Sequence, residues 1–81
     1  MANRVAYYTN ESFLEDSPIG MVYMVAMVTE NEAGYTPVPG LAASQLATAQ
    51  DRCKMVNQRN NRSERDVLDI VASSMAVSKI D

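Results

Sequence analysis

Met21-Val22-Tyr23-Met24-Val25-Ala26-Met27-Val28 is an apolar run without a charge and without alternation. Successive side chains of a strand point to opposite faces, so a half-exposed strand alternates apolar and polar residues. Read as one strand, this run puts Met21, Tyr23, Val25 and Met27 on one face and Val22, Met24, Ala26 and Val28 on the other. Both faces then ask for burial. Working outward, Ser17-Pro18-Ile19-Gly20 marks a turn just before the run, and residues 4–9 form a short β-branched and aromatic segment able to pair with it antiparallel. Asn31-Glu32-Ala33-Gly34 reads as a hairpin loop after a strand over 21–30. Residues 35–38 return as a short edge strand broken by Pro37 and Pro39. The expected sheet is a small antiparallel meander of about three strands.

The second half changes period. Ala42, Leu46, Ala49, Cys53 and Val56 recur at helical spacing and predict an amphipathic helix over 41–58. Ser63 with Asp66 three residues later resembles a capping box, so a second helix is expected from Glu64. Its apolar side carries Val67, Ile70, Val71, Ser74, Met75 and Val77, with Leu68 at the margin. The short link implies an antiparallel or sharply crossing pair. Strands followed by helices give an α+β domain, with both helices expected on one face of the sheet.

The chain of 81 residues has room for one domain, 1–81, with a strand-rich half 1–40 and a helical half 41–81. Net charge is -3, divided as -4 over 1–40 (Arg4 against Glu11, Glu15, Asp16, Glu30 and Glu32) and +1 over 41–81. The 47% hydrophobic share excludes a disordered chain. A lone cysteine, Cys53, gives no internal disulfide, and a domain this small without staples suits a reducing cytoplasm. The start Met1-Ala2-Asn3-Arg4 does not read as a signal peptide, and no apolar run reaches the roughly 20 residues of a membrane-spanning helix.

Chemistry is sparse. The chain has no histidine, which removes the usual general base and the commonest transition-metal ligand. Cys53 lies on the apolar seam of the first helix and reads as a buried small hydrophobe. Glu11, Glu15, Asp16, Glu30 and Glu32 match no calcium loop, and Gly20, Gly34 and Gly40 stand too far apart to cradle phosphate. Ser73 and Ser74 have no base partner. The expectation is a protein that is not an enzyme, with no cofactor and no metal.

Two surfaces remain. The two-sided strand predicts a homodimer or a docking site for a host protein, with Met21, Tyr23, Val25 and Met27 as the interface. The alternative cover is the loop 10–19, with Phe13 and Leu14 as plugs. Arg52, Lys54, Arg59, Arg62 and Arg65 against Glu64 make residues 52–65 net +4, interleaved with amides. That composition suits nucleic acid, or simply a solvated helix end. A ribbon-helix-helix reading fails, because a strand in the major groove needs polar outward residues and 21–28 offers only Tyr23.

Val5-Ala6-Tyr7-Tyr8-Thr9, then Val25-Ala26-Met27-Val28-Thr29-Glu30-Asn31-Glu32 with Gly34-Tyr35, and Asp66-Val67 leading to Ile70-Val71-Ala72-Ser73-Ser74-Met75 resemble small uncharacterised proteins of actinobacteriophages, mycobacteriophages among them. The resemblance implies a phage accessory protein made in the cytoplasm of an infected bacterium, and carries no site residues. The leading expectation is a non-enzymatic, homodimeric interaction protein that binds a host or phage protein. A nucleic-acid binder using 52–65 and a minor virion subunit are the alternatives.

Overall fold

In the computed structural model, which describes residues 3–78, the apolar run is not one strand. It divides at Met24 and Val25 into β3 (Gly20–Tyr23) and β4 (Ala26–Thr29), which belong to different sheets. The remaining strands are β1 (Val5–Tyr8), β2 (Leu14–Ser17) and β5 (Thr36–Pro37). The helices are α1 (Leu46–Arg59) and α2 (Glu64–Ser78). Of the domain expected over 1–81, Met1, Ala2 and residues 79–81 lie outside the described residues.

One sheet has the order β1-β4-β5, with both pairings antiparallel. This is the expected meander, with 31–35 as the connection between β4 and β5. Asn31 and Gly34 take positive φ there, 60° and 81°, a backbone region that asparagine and glycine tolerate best. The second sheet is the hairpin β2–β3, closed by Pro18 and Ile19. Ser17 Oγ donates to the Gly20 carbonyl and accepts from the Ile19 N–H, which tightens this turn. Sequence pattern holds no sign of β2, because Leu14-Glu15-Asp16-Ser17 is mostly charged and polar. Only pairing with β3 makes it a strand.

Division of the run also answers what covers its two faces. Ala6, Ala26 and Val28 share one face of the larger sheet and pack on Ile70 of α2, with Val67 and Phe13 alongside. Val25 points the other way and is buried by Ala49 and Cys53 of α1, flanked by Tyr7, Tyr23, Val38, Leu41 and Ala43. The helices pack against the strands as expected, α2 on the Ala6 cluster and α1 along β1 against Tyr7 and Val25. The apolar surplus that suggested a missing partner is largely met within the chain.

Each helix begins where local chemistry permits. The first was expected from 41, yet Pro39–Leu41 forms a 3-10 turn and Ala43 pairs with Tyr23, so α1 starts at Leu46. Its stop at Asn60 and Asn61 is as expected, with Asn61 at φ 62°. At the start of α2 the capping box is formed. The Asp66 N–H donates to Ser63 Oγ at 3.1 Å, and the Ser63 N–H donates to the Asp66 carboxylate at 2.9 Å. Farther along α2, Ser73 Oγ accepts from the Asn31 N–H and Ser74 Oγ donates to the Glu32 carbonyl, tying the helix to the β4–β5 connection.

Candidate functional site

Of the expected interface residues, only Met21 and Tyr23 share a surface. Val25 is 0% exposed beneath α1, so it belongs to the core and not to an interface, a correction that stems from the break at Met24-Val25. Met21 is 51% exposed on β3, Tyr23 is half-buried beside Ala43, and Met27 is half-buried on β4 in the other sheet. The expected plugs also part company. Phe13 is half-buried against the α2 cluster, with its ring edge-on to Tyr8 and stacked on Tyr35, whereas Leu14 stays 43% exposed.

What the structure gathers instead is the β2–β3 hairpin. Leu14 faces Tyr23 and Asp16 faces Met21 across the pair, so Leu14, Met21 and Tyr23 share one side. Ile19 stands at the tip, 90% exposed. Glu11, Glu15 and Asp16 are exposed on the same stretch, which makes the surface apolar and acidic at once. Only Val22 of this hairpin is buried. The exposure of Leu14 and Ile19 is not readable in sequence, since both look like loop residues free to fold inward.

The basic stretch is committed to the fold in part. Arg52 Nη1 donates to the Ala42 carbonyl at 2.6 Å. Arg62 Nε donates to the Val5 carbonyl at 3.3 Å and its Nη1 to the Asn60 carbonyl. Lys54 lies 3.6 Å from Glu64, both side chains well exposed. Arg59 and Arg65 are exposed on α1 and α2. Arg52 and Arg62 thus serve the chain before α1 and the edge of β1, while Lys54, Arg59 and Arg65 stay on the surface.

Asn57 is the polar residue that sequence pattern alone does not single out. It is buried on α1, one turn beyond Cys53, and its side-chain amide acts as a neighbouring strand for β1. Oδ1 accepts from the Tyr7 N–H at 2.9 Å and Nδ2 donates to the Tyr7 carbonyl at 2.9 Å. Its signal in the sequence is an amide four residues after a seam cysteine, at a position where an apolar residue is the ordinary choice.

A cavity of about 420 Å³ opens between β1, α1 and α2, bordered by Tyr7, Tyr8, Cys53, Asn57, Arg62 and Val67. Its thiol is disarmed, because burial pushes Cys53 up to about 11 and leaves almost no thiolate at neutral pH. Among the described residues no group of three or more carboxylates and thiols is placed to hold a metal ion. The ionic cluster in the fold joins three elements: Arg4 Nη2 meets Glu30 Oε2 at 2.6 Å, and Nη1 meets Asp66 Oδ1 at 3.2 Å. The Arg4 side chain holds the Glu30 carboxyl below its usual range, and the Ser63 N–H and hydroxyl do the same for Asp66. No described helix is long and apolar enough to cross a membrane. No family model, no curated protein and no solved structure matches the chain.

Proposed function

We propose that this chain is a non-enzymatic interaction protein that binds another protein, with the β2–β3 hairpin as its contact surface. The observation that carries this reading is the exposure of Leu14, Ile19 and Met21 on one hairpin, in a chain that buries Val22, Val25, Ala26 and Val28 by itself. A side chain of isoleucine size, 90% exposed at a tip, contributes nothing to packing and offers an anchor to a partner. The likeness to small actinobacteriophage proteins supports the setting, an accessory protein acting in the cytoplasm of an infected bacterium. Homodimerisation remains part of the reading only through Met21, Tyr23 and Leu14, since Val25 and its neighbours no longer need cover. Nucleic-acid binding through 52–65 has weaker support, with Arg59 and Arg65 left as the outward cations.

The test compares wild type with Ile19→Ser/Met21→Ser, two exposed positions whose replacement leaves the fold intact. Each is used as bait in bacterial lysate, and each is sized by light scattering at high micromolar concentration. The reading expects one protein retained by wild type and lost by the double variant at unchanged melting temperature. Retention of that same protein by both baits refutes it. Dimeric wild type beside a monomeric variant makes the second copy the partner.

A further inference from the structure

Each sheet edge in this fold can be inspected for what occupies it. Along β1 the ladder alternates so that Ala6 and Tyr8 bond to β4, while Val5 and Tyr7 turn their peptide groups outward. The Val5 carbonyl is taken by Arg62, and both groups of Tyr7 by the Asn57 amide. On β5 the Val38 N–H bonds to the Val25 carbonyl, which leaves Pro37 facing out, and proline has no N–H to offer. On β3 the outward groups of Tyr23 are bonded both ways to Ala43, at 2.7 and 3.3 Å, while among the described residues those of Met21 have no hydrogen-bond partner.

On β2 neither outward residue is bonded. The Met24 N–H bonds to the Phe13 carbonyl, so by alternation Glu15 and Ser17 bond to β3, and Leu14 and Asp16 turn their N–H and C=O outward. Among the described residues nothing hydrogen-bonds to these outward groups. Natural proteins cover or blunt such edges, because a row of free peptide groups is a template for another strand. Here the blunting is selective. A second copy paired antiparallel on this edge, centred on either acidic residue, would set Glu15 or Asp16 directly against its own equivalent and the other carboxylate close by, and like charges directly opposite are unfavourable. A strand carrying Lys or Arg meets the opposite situation.

We propose that β2 accepts, along its free edge, an extended and positively charged segment of another protein, which extends the β2–β3 hairpin by one strand. Main-chain bonds to Leu14 and Asp16 supply affinity, the acidic pair selects the sign of charge, and Leu14 with Met21 offers apolar contact beside the new strand. This rests on the hairpin being the contact surface, and goes further by naming the partner's conformation and charge.

The experiment uses the full chain, labelled with nitrogen-15, and a capped octapeptide of alternating Val and Lys as probe. Hydrogen exchange of the Leu14 and Asp16 amides is expected to slow at least tenfold with peptide. Methylating alternate peptide nitrogens is expected to weaken binding at least tenfold, and an alternating Val and Glu peptide should not bind. Glu15→Lys with Asp16→Lys should exchange the two preferences; if that variant loses its folded spectrum, the methylated peptide against wild type decides. Protection confined to other residues, equal binding of the Val and Glu peptide, or no binding at millimolar peptide overturns the proposal. So does protection of Leu14 and Asp16 by raised protein concentration alone, which assigns the edge to a second copy. If Ile19→Ser/Met21→Ser abolishes capture of a partner while the Val and Lys peptide leaves Leu14 and Asp16 exchanging freely, the hairpin is the contact surface and strand addition is wrong.

Discussion

Asn57 gives the sharpest test of how this fold is held. Its amide makes two hydrogen bonds of 2.9 Å to one peptide group of β1, and it is buried. Asn57→Ala removes both and leaves the Tyr7 N–H and C=O without partners, which should cost about 2–4 kcal/mol. A domain of 81 residues has about 4–12 kcal/mol in total, so the loss is a large share. At roughly 4–8 °C per kcal/mol for a chain this size, the melting temperature should fall on the order of 10–25 °C. Asn57→Asp keeps the shape but sets an oxygen where Nδ2 faces the Tyr7 carbonyl. Ionised, that carboxyl repels the carbonyl; protonated, it donates again. Its folded-state pKa is therefore raised, and the deficit against wild type at the same pH should be small in acid and widen as pH rises through the carboxylate range. Urea denaturation followed by circular dichroism from pH 3.5 to 7 measures both. A loss under about 1 kcal/mol for Asn57→Ala, or a gap for Asn57→Asp that ignores pH, would show that the amide does not act as a surrogate strand.

The Arg4, Glu30 and Asp66 cluster predicts acid sensitivity. Both carboxyls are held below their usual values, so their stabilisation is complete above the unfolded-state pKa and disappears as pH falls through the folded one. Arg4→Met should flatten that acid limb in a pH series of thermal melts, and an unchanged slope would remove the cluster from the account. Cys53 should react with iodoacetamide in the native protein at pH 8 at least a hundred times more slowly than in urea, since its thiol sits near 11; rapid native labelling contradicts the buried placement. Ile70→Ala should cost about 2–5 kcal/mol because the side chain is 0% exposed, whereas Leu68→Ala at 65% exposure should stay within about 0.5 kcal/mol. Equal melting temperatures for the two variants would contradict the assigned face of α2.

Much of the architecture is legible in the sequence because its signals are local. The capping box at Ser63 and Asp66 is two side chains meeting two N–H groups three residues apart, and it marks the start of α2 without reference to the rest of the chain. The seam through Ala49 and Cys53 reports a helix by its period alone. Where sequence pattern and structure differ, the deciding contact is distant in the chain. Ala43 pairs with Tyr23 and so delays α1 to Leu46, and the charged segment 14–17 becomes a strand only by bonding to Gly20–Tyr23. Asn57 reaches Tyr7 across fifty positions, and no periodicity announces that.

By itself the sequence determined an α+β domain with strands preceding helices, because propensity, period and capping act over a few residues. It also determined that the run 21–28 has no polar face. Only the tertiary structure decided how those two apolar faces are covered. The run breaks at Met24-Val25, and the break sends Val25 under α1 and Ala26 with Val28 under α2, while Met21 stays half exposed on the hairpin. Burial is a sum over partners brought together by folding, whereas apolarity is a property of each residue alone. For the same reason the exposed apolar side chains lie not in the middle of the run but on the hairpin, at Leu14, Ile19 and Met21.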